Sequence, residues 1–145
     1  MLKFFQISEQ EQKMAIPLFL NPVSAGFPSP ADDFLEKNLD LNTYLIKHPA
    51  ATFFVKVQGE SMINGGIRSG DILIVDKSLE STNNKIVIAL VNGEFTVKRI
   101  KKMGSKIWLM PENPKYRPIE IHGDMNFEIW GVVTHIIHST NNEPN

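Results

Sequence analysis

At 145 residues, with 42% hydrophobic and 21% charged side chains, the chain has the make-up of one soluble globular domain plus a loose end, and a second catalytic domain does not fit. A formal net charge of -1 excludes nucleic-acid binding through bulk positive charge, and the absence of cysteine excludes disulfides and thiolate metal sites, which suits a reducing cytoplasm. No apolar run approaches the roughly 20 residues of a membrane helix, and the N-terminus lacks a secretory-signal pattern, so a cytoplasmic protein is expected.

Residues 1–30 read as a flexible N-terminal arm. Met1 to Lys13 is polar and mixed in charge, Ile16 to Leu20 is a short apolar patch interrupted by Pro17, and Asn21 to Pro30 is turn-rich. Within Val23-Ser24-Ala25-Gly26-Phe27-Pro28-Ser29-Pro30, prolines after a small-residue peptide bond resist helix, so the backbone stays extended and able to enter an active site. Residues 31–139 form the expected folded domain, and 140–145 a polar tail. Ala31 to Glu36 can begin a short helix with Asp32 or Asp33 near its N-terminus. Leu39 to Ile46 has apolar positions at helical spacing before His48-Pro49 stops it.

Beyond Pro49 the pattern is β. Thr52 to Val57, Asp71 to Asp76 and Lys85 to Val91 are β-branched and apolar runs. Asn92-Gly93 is the pair that a two-residue type I′ turn favours, because both positions need positive φ, and it returns the chain through Glu94 to Ile100. Lys106 to Met110 and Phe127 to Ile137 supply further strands. The expectation is a compact, mostly β fold of short strands.

Two residues in this frame carry the chemistry. Ser61 follows a strand and precedes the glycine-rich turn Asn64-Gly65-Gly66, where backbone N–H groups of Ser61 and Met62 can face a developing oxyanion. Lys98 shares one face of the return strand with Thr96 and Ile100, while Phe95 and Val97 take the other. A serine hydroxyl becomes nucleophilic when a base takes its proton, and a lysine serves if burial keeps it neutral. Lowering its pKa from about 10.4 to about 7 takes roughly 4 to 5 kcal/mol. Position alone also fits plainer roles: Ser61 as a turn serine, and Lys98 as a solvated cation in a run with Arg99, Lys101, Lys102 and Lys106. The Gly-x-Ser-x-Gly elbow fails at Ile63. His48, His122, His135 or His138 could complete a Ser-His-Asp triad, though none lies in a local signature. His135 and His138 are three apart in a strand and point to opposite faces, so a metal site is the weaker reading.

Taken together, Gly59-Glu60-Ser61-Met62, Gly65-Gly66-Ile67, Gly70-Asp71 and Phe95-Thr96-Val97-Lys98-Arg99 resemble the LexA/UmuD family of self-cleaving serine peptidases. The likeness runs from about Pro17 to about His138 and includes Gly26-Phe27-Pro28-Ser29-Pro30-Ala31 and Leu41-Asn42 through His48-Pro49. It implies the LexA-like peptidase fold of short, highly bent strands. It also implies Ser61 as nucleophile, Lys98 as general base, and a scissile bond between Ala25 and Gly26, with no cofactor. Its UmuD branch further implies a homodimer of the SOS DNA-damage response, prompted to cut itself by the RecA nucleoprotein filament. The trimmed form then joins a UmuC-type DNA polymerase in error-prone translesion synthesis.

The departures matter as well. Only 25 residues precede Gly26, too few for a helix-turn-helix domain, so direct sequence-specific DNA binding is not expected. Met1 to Lys13 matches no part of the family pattern. Signal peptidases share a similar Ser-Met and Lys-Arg pair but need a membrane anchor, and none is read here. The alternative is a non-catalytic dimeric interaction module that regulates a polymerase.

Overall fold

The computed structural model describes residues 2–6, 15–19, 25–27 and 36–141. The chain divides into two compact units, Met1–Ile7 with His48–Asn145, and Ser8–Lys47.

The larger unit is built on one eight-stranded antiparallel sheet. In chain order its strands are β1 (Leu2–Gln6), β4 (Thr52–Val57), β5 (Ile72–Asp76), β6 (Ile86–Val91), β7 (Glu94–Met103), β8 (Lys106–Met110), β9 (Ile119–Ile121) and β10 (Phe127–Ile137). Their order across the sheet is β1-β4-β5-β10-β6-β7-β8-β9. The mostly β expectation holds, and so does the hairpin: Asn92 and Gly93 have φ of 49° and 84°, and β6 pairs with β7 from Ile86↔Arg99 to Val91↔Glu94.

The sheet buries apolar side chains on two sides, which alternation along a strand allows. Val55, Val57, Met62, Ile67, Leu73, Val75, Ile88 and Val97 form one cluster, and Val87, Ala89, Ile100, Leu109 and Val132 form the other. Ile88 and its neighbours Val87 and Ala89 thus face opposite ways on β6. Curling is helped by β10, whose register shifts between Ile129 and Gly131 against β6 and between Val133 and His135 against β5.

The smaller unit pairs β2 (Ala15–Phe19) with β3 (Glu36–Asp40), followed by α1 (Leu41–Leu45). Residues 36–40 depart from the helical reading, while Leu41–Leu45 bear it out. Glu36 to Asp40 is a strand, and Asp40, in extended backbone, accepts hydrogen bonds from Asn42 N–H at 3.3 Å and Thr43 Oγ1 at 2.7 Å, so the helix starts only at Leu41. The helix start expected at Ala31 to Phe34 lies outside the described residues, as do Pro28 to Pro30 and most of the tail. Leu2–Gln6, expected as part of an arm, is a strand. Its partner is β4, some fifty residues away, and pairing that distant leaves no local signature.

Gly131 sits where β10 crosses β5 closely. A Cβ there would lie 2.6 Å from Val75 Cγ1 and 3.1 Å from the Asp76 carbonyl oxygen. Gly131→Ala is therefore expected to lower stability by about 1–3 kcal/mol, read as a lower urea midpoint with unchanged slope.

Candidate active site

Ser61 lies in the loop after β4, between Met62, which is 2% exposed and part of the core, and the strand end at Val57. The loop is held by a distant segment: Glu112 N–H donates to the Ser61 carbonyl at 2.8 Å, Asn64 N–H donates to the Glu112 carbonyl at 2.8 Å, and Asn113 Nδ2 donates to the Glu60 carbonyl at 2.9 Å. Gly65 fits beneath Glu112, whose Cγ would stand 3.1 Å from an added Cβ. Gly66 closes the short turn Ile63–Gly65 at φ 86°, a conformation that suits glycine.

Lys98 reaches this loop from β7. Its Nζ lies 3.1 Å from Ser61 Oγ, 2.6 Å from Thr96 Oγ1 and 3.1 Å from the Val97 carbonyl oxygen. The shared face of Thr96 and Lys98 on the return strand is thus realised. Lys98 is only 7% exposed, and burial pushes its pKa below the usual 10.5. The Arg99 guanidinium is committed elsewhere: Nε pairs with Glu112 Oε1 and Nη1 donates to the Asn84 carbonyl. The plainer reading of Lys98 as a solvated edge cation does not hold.

A small cleft of about 60 Å³ opens beside Ser61, walled by Leu2, Val57, Met62, Ile67, Phe95 and Thr96 among others. The N–H groups of Ser61 and Met62 donate to no acceptor among the described residues. The arrangement offers a hydroxyl, a buried amine in contact with it and backbone donors at the edge of a small recess, the parts needed for acyl transfer.

Three of the four histidines are engaged elsewhere. His48 pairs with buried Asp76 at 2.6 Å, His138 with buried Asp71 at 2.7 Å, and His135 Nδ1 with Thr134 Oγ1 at 3.1 Å. The side-chain partner of Ser61 is Lys98. Among the described residues no group of three or more acidic or histidine side chains could hold a metal ion. No helix among them is long and apolar enough to cross a membrane.

Residues 17–134 match the family model described as Peptidase S24-like. The chain belongs to the S24-like peptidases, in their LexA/UmuD group. It is 47% identical over 133 residues to Protein SamA of Salmonella typhimurium, covering 91% of this chain and 92% of SamA. Protein MucA of Salmonella typhimurium is 43% identical over 132 residues, 90% of each chain. The LexA repressor of Acidithiobacillus ferrooxidans is 42% identical over 118 residues, 80% of this chain and 57% of the repressor.

For an S24-like peptidase, three contributors escape a reading by residue type. Thr96 falls on the right face but carries no role by type, although its place two residues before Lys98 is an available signal. Glu112 and Asn113 act on the Ser61 loop largely through backbone groups, which residue type does not advertise. Ala25, Gly26 and Phe27 form an exposed bend in the smaller unit, with Phe27 91% exposed and open space where a Gly26 Cβ would lie.

The buried amine is open to direct measurement. A ¹³C-edited titration of the Lys98 side chain is expected to give a midpoint below 10.5, and an ordinary lysine midpoint would contradict the burial seen here.

Proposed function

We propose that the protein is a self-cleaving serine endopeptidase that cuts its own Ala25-Gly26 bond with a Ser61/Lys98 dyad. The observation that carries this reading is the 3.1 Å contact between Ser61 Oγ and the Nζ of a lysine whose pKa burial lowers. Membership of the S24-like peptidases supports it.

Neutral Lys98 takes the hydroxyl proton as Ser61 Oγ attacks the Ala25 carbonyl carbon. The N–H groups of Ser61 and Met62 receive the oxyanion. Collapse of the tetrahedral adduct breaks the Ala25–Gly26 C–N bond, and the lysine ammonium passes its proton to the departing Gly26 nitrogen. Water then attacks the Ala25 acyl ester with Lys98 again as base, which returns the proton to Ser61 and frees the Ala25 carboxylate. Thr96 Oγ1 and the Val97 carbonyl oxygen orient the amine throughout. Ala25 suits a shallow pocket, and Gly26 lets the bond approach without obstruction.

The wider role follows the UmuD branch. The protein acts in the cytoplasm as a homodimer of the SOS response, with residues 1–30 as the arm that carries the cleavage site. The RecA nucleoprotein filament raises the population in which that arm is docked, which requires tighter binding to the docked state. The trimmed form serves as accessory subunit of an error-prone, UmuC-type translesion polymerase.

The test is intact-mass analysis of the full chain incubated from neutral pH to about pH 10. Because the free amine is the base, the rate falls about tenfold per pH unit below the Lys98 pKa and levels above it. Cleavage is expected between Ala25 and Gly26, rising with pH, abolished by Ser61→Ala and slowed about 10²–10⁴-fold by Lys98→Ala. Gly26→Val, at a position where an added Cβ meets nothing within 4 Å among the described residues, is expected to slow the cut about 10²-fold without loss of stability. A wild-type chain that stays intact at every pH and with activated filament added, or a product cut elsewhere, overturns the proposal.

A further inference from the structure

The β1 strand closes an edge that would otherwise be open. It pairs with β4 from Leu2↔Val57 to Gln6↔Phe53, and β4 would be the end of the sheet without it. Alternation places Leu2 and Phe4 on the side of buried Val57 and Val55. Leu2 forms part of the cleft wall beside Ser61. The Phe4 ring meets Phe95 edge-on at 4.7 Å and lies 5.7 Å from Phe53 and 6.0 Å from Trp130. The groove receiving it is therefore aromatic, with Lys77 over Trp130 at 4.6 Å on its border.

The closure is weak. Phe4 remains 38% and Phe5 47% exposed. Five residues of pairing are marginal unless the segment is held nearby by the chain.

We propose that the β4 edge with the Phe53, Phe95 and Trp130 groove is a docking site for an extended segment, that its occupant in the intact chain is the protein's own Leu2–Gln6, and that this occupant leaves after the Ala25-Gly26 bond is cut. The leaving step rests on the function proposed above. While the chain is intact, the tether supplies the strand at an effective concentration on the order of millimolar. Cutting after Ala25 turns residues 1–25 into a separate peptide. Among the described residues the remaining hold on that peptide is the β2–β3 pairing, a two-stranded sheet whose connecting loop has just been severed and which is marginal at best. At micromolar protein the docked-to-undocked ratio then falls by a factor on the order of 10³. The vacated edge presents unpaired backbone donors and acceptors, and the cleft loses its Leu2 wall, so cut and intact forms differ at one defined surface.

Amide hydrogen exchange on the full-length chain tests both halves. In a Ser61→Ala background, Phe4→Asp is expected to speed exchange of the β4 amides facing β1 at least about tenfold while β5, β6 and β10 stay protected, which separates loss of docking from unfolding. Wild type allowed to cut itself and diluted to about 1 µM is expected to show the same acceleration, reversed by about 100 µM of a synthetic peptide of residues 1–25 and not by its Phe4→Asp form. Unchanged β4 exchange in Phe4→Asp overturns the docking site. Cleavage without acceleration, or acceleration that the peptide does not reverse, overturns the release. A wild type that never cuts overturns the release together with the function it rests on, and Phe4→Asp still decides the docking.

Discussion

A lysine ammonium buried without a carboxylate is unfavourable, and the site is organised around accepting that penalty at Lys98. Lys98 is 7% exposed, the polar partners of its amine are hydroxyl and carbonyl oxygens rather than charges, and the nearest cation in sequence, Arg99, is drawn off by Glu112 and Asn84. Such a setting favours the neutral amine, the form able to take a proton. The strands that surround it have to be rigid for this to work. The β6–β7 hairpin, fixed by its positive-φ turn, sets the height of Lys98, while Met62 anchors the Ser61 loop in the core. Glu112 serves both sides, through its backbone to the Ser61 loop and through its carboxylate to Arg99.

What residue order could and could not reveal follows the range of the interactions. The Asn92-Gly93 turn and the alternation through Thr96 and Lys98 are local, so β6, β7 and the facing of the lysine are legible from residue type and spacing alone. Ser61 and Lys98 are 37 residues apart, and only the family pattern brings them together in the sequence, a pairing matched by their contact. Contacts that depend on distant pairing are not legible in this way. Leu2–Gln6 has too few residues for periodicity to show, and β9, three residues long, has fewer. Leu39 and Asp40 fit a helical spacing, yet pairing with β2 and the capping geometry of Asp40 prevail over it.

The two units carry complementary parts of the account. The larger holds Ser61, Lys98 and the cleft, and the smaller holds the exposed bend at Ala25 to Phe27. Under the proposed self-cleavage the substrate is part of the same chain and needs little binding surface, which agrees with a cleft of only about 60 Å³. In that proposal local concentration does the work that extensive contacts would do for a free substrate.

The central claim is that burial of Lys98 makes Ser61 a nucleophile. Its most direct test is the rate at which a fluorophosphonate probe, which reports serine nucleophilicity independently of the arm, labels the protein across pH, with the modified residue located by peptide mass. The account predicts an adduct on Ser61 alone, formed faster as pH rises, levelling below the 10.5 of an ordinary lysine and lost in Lys98→Ala. Labelling of Ser61 at equal rate in Lys98→Ala, or no adduct at any pH, would contradict it.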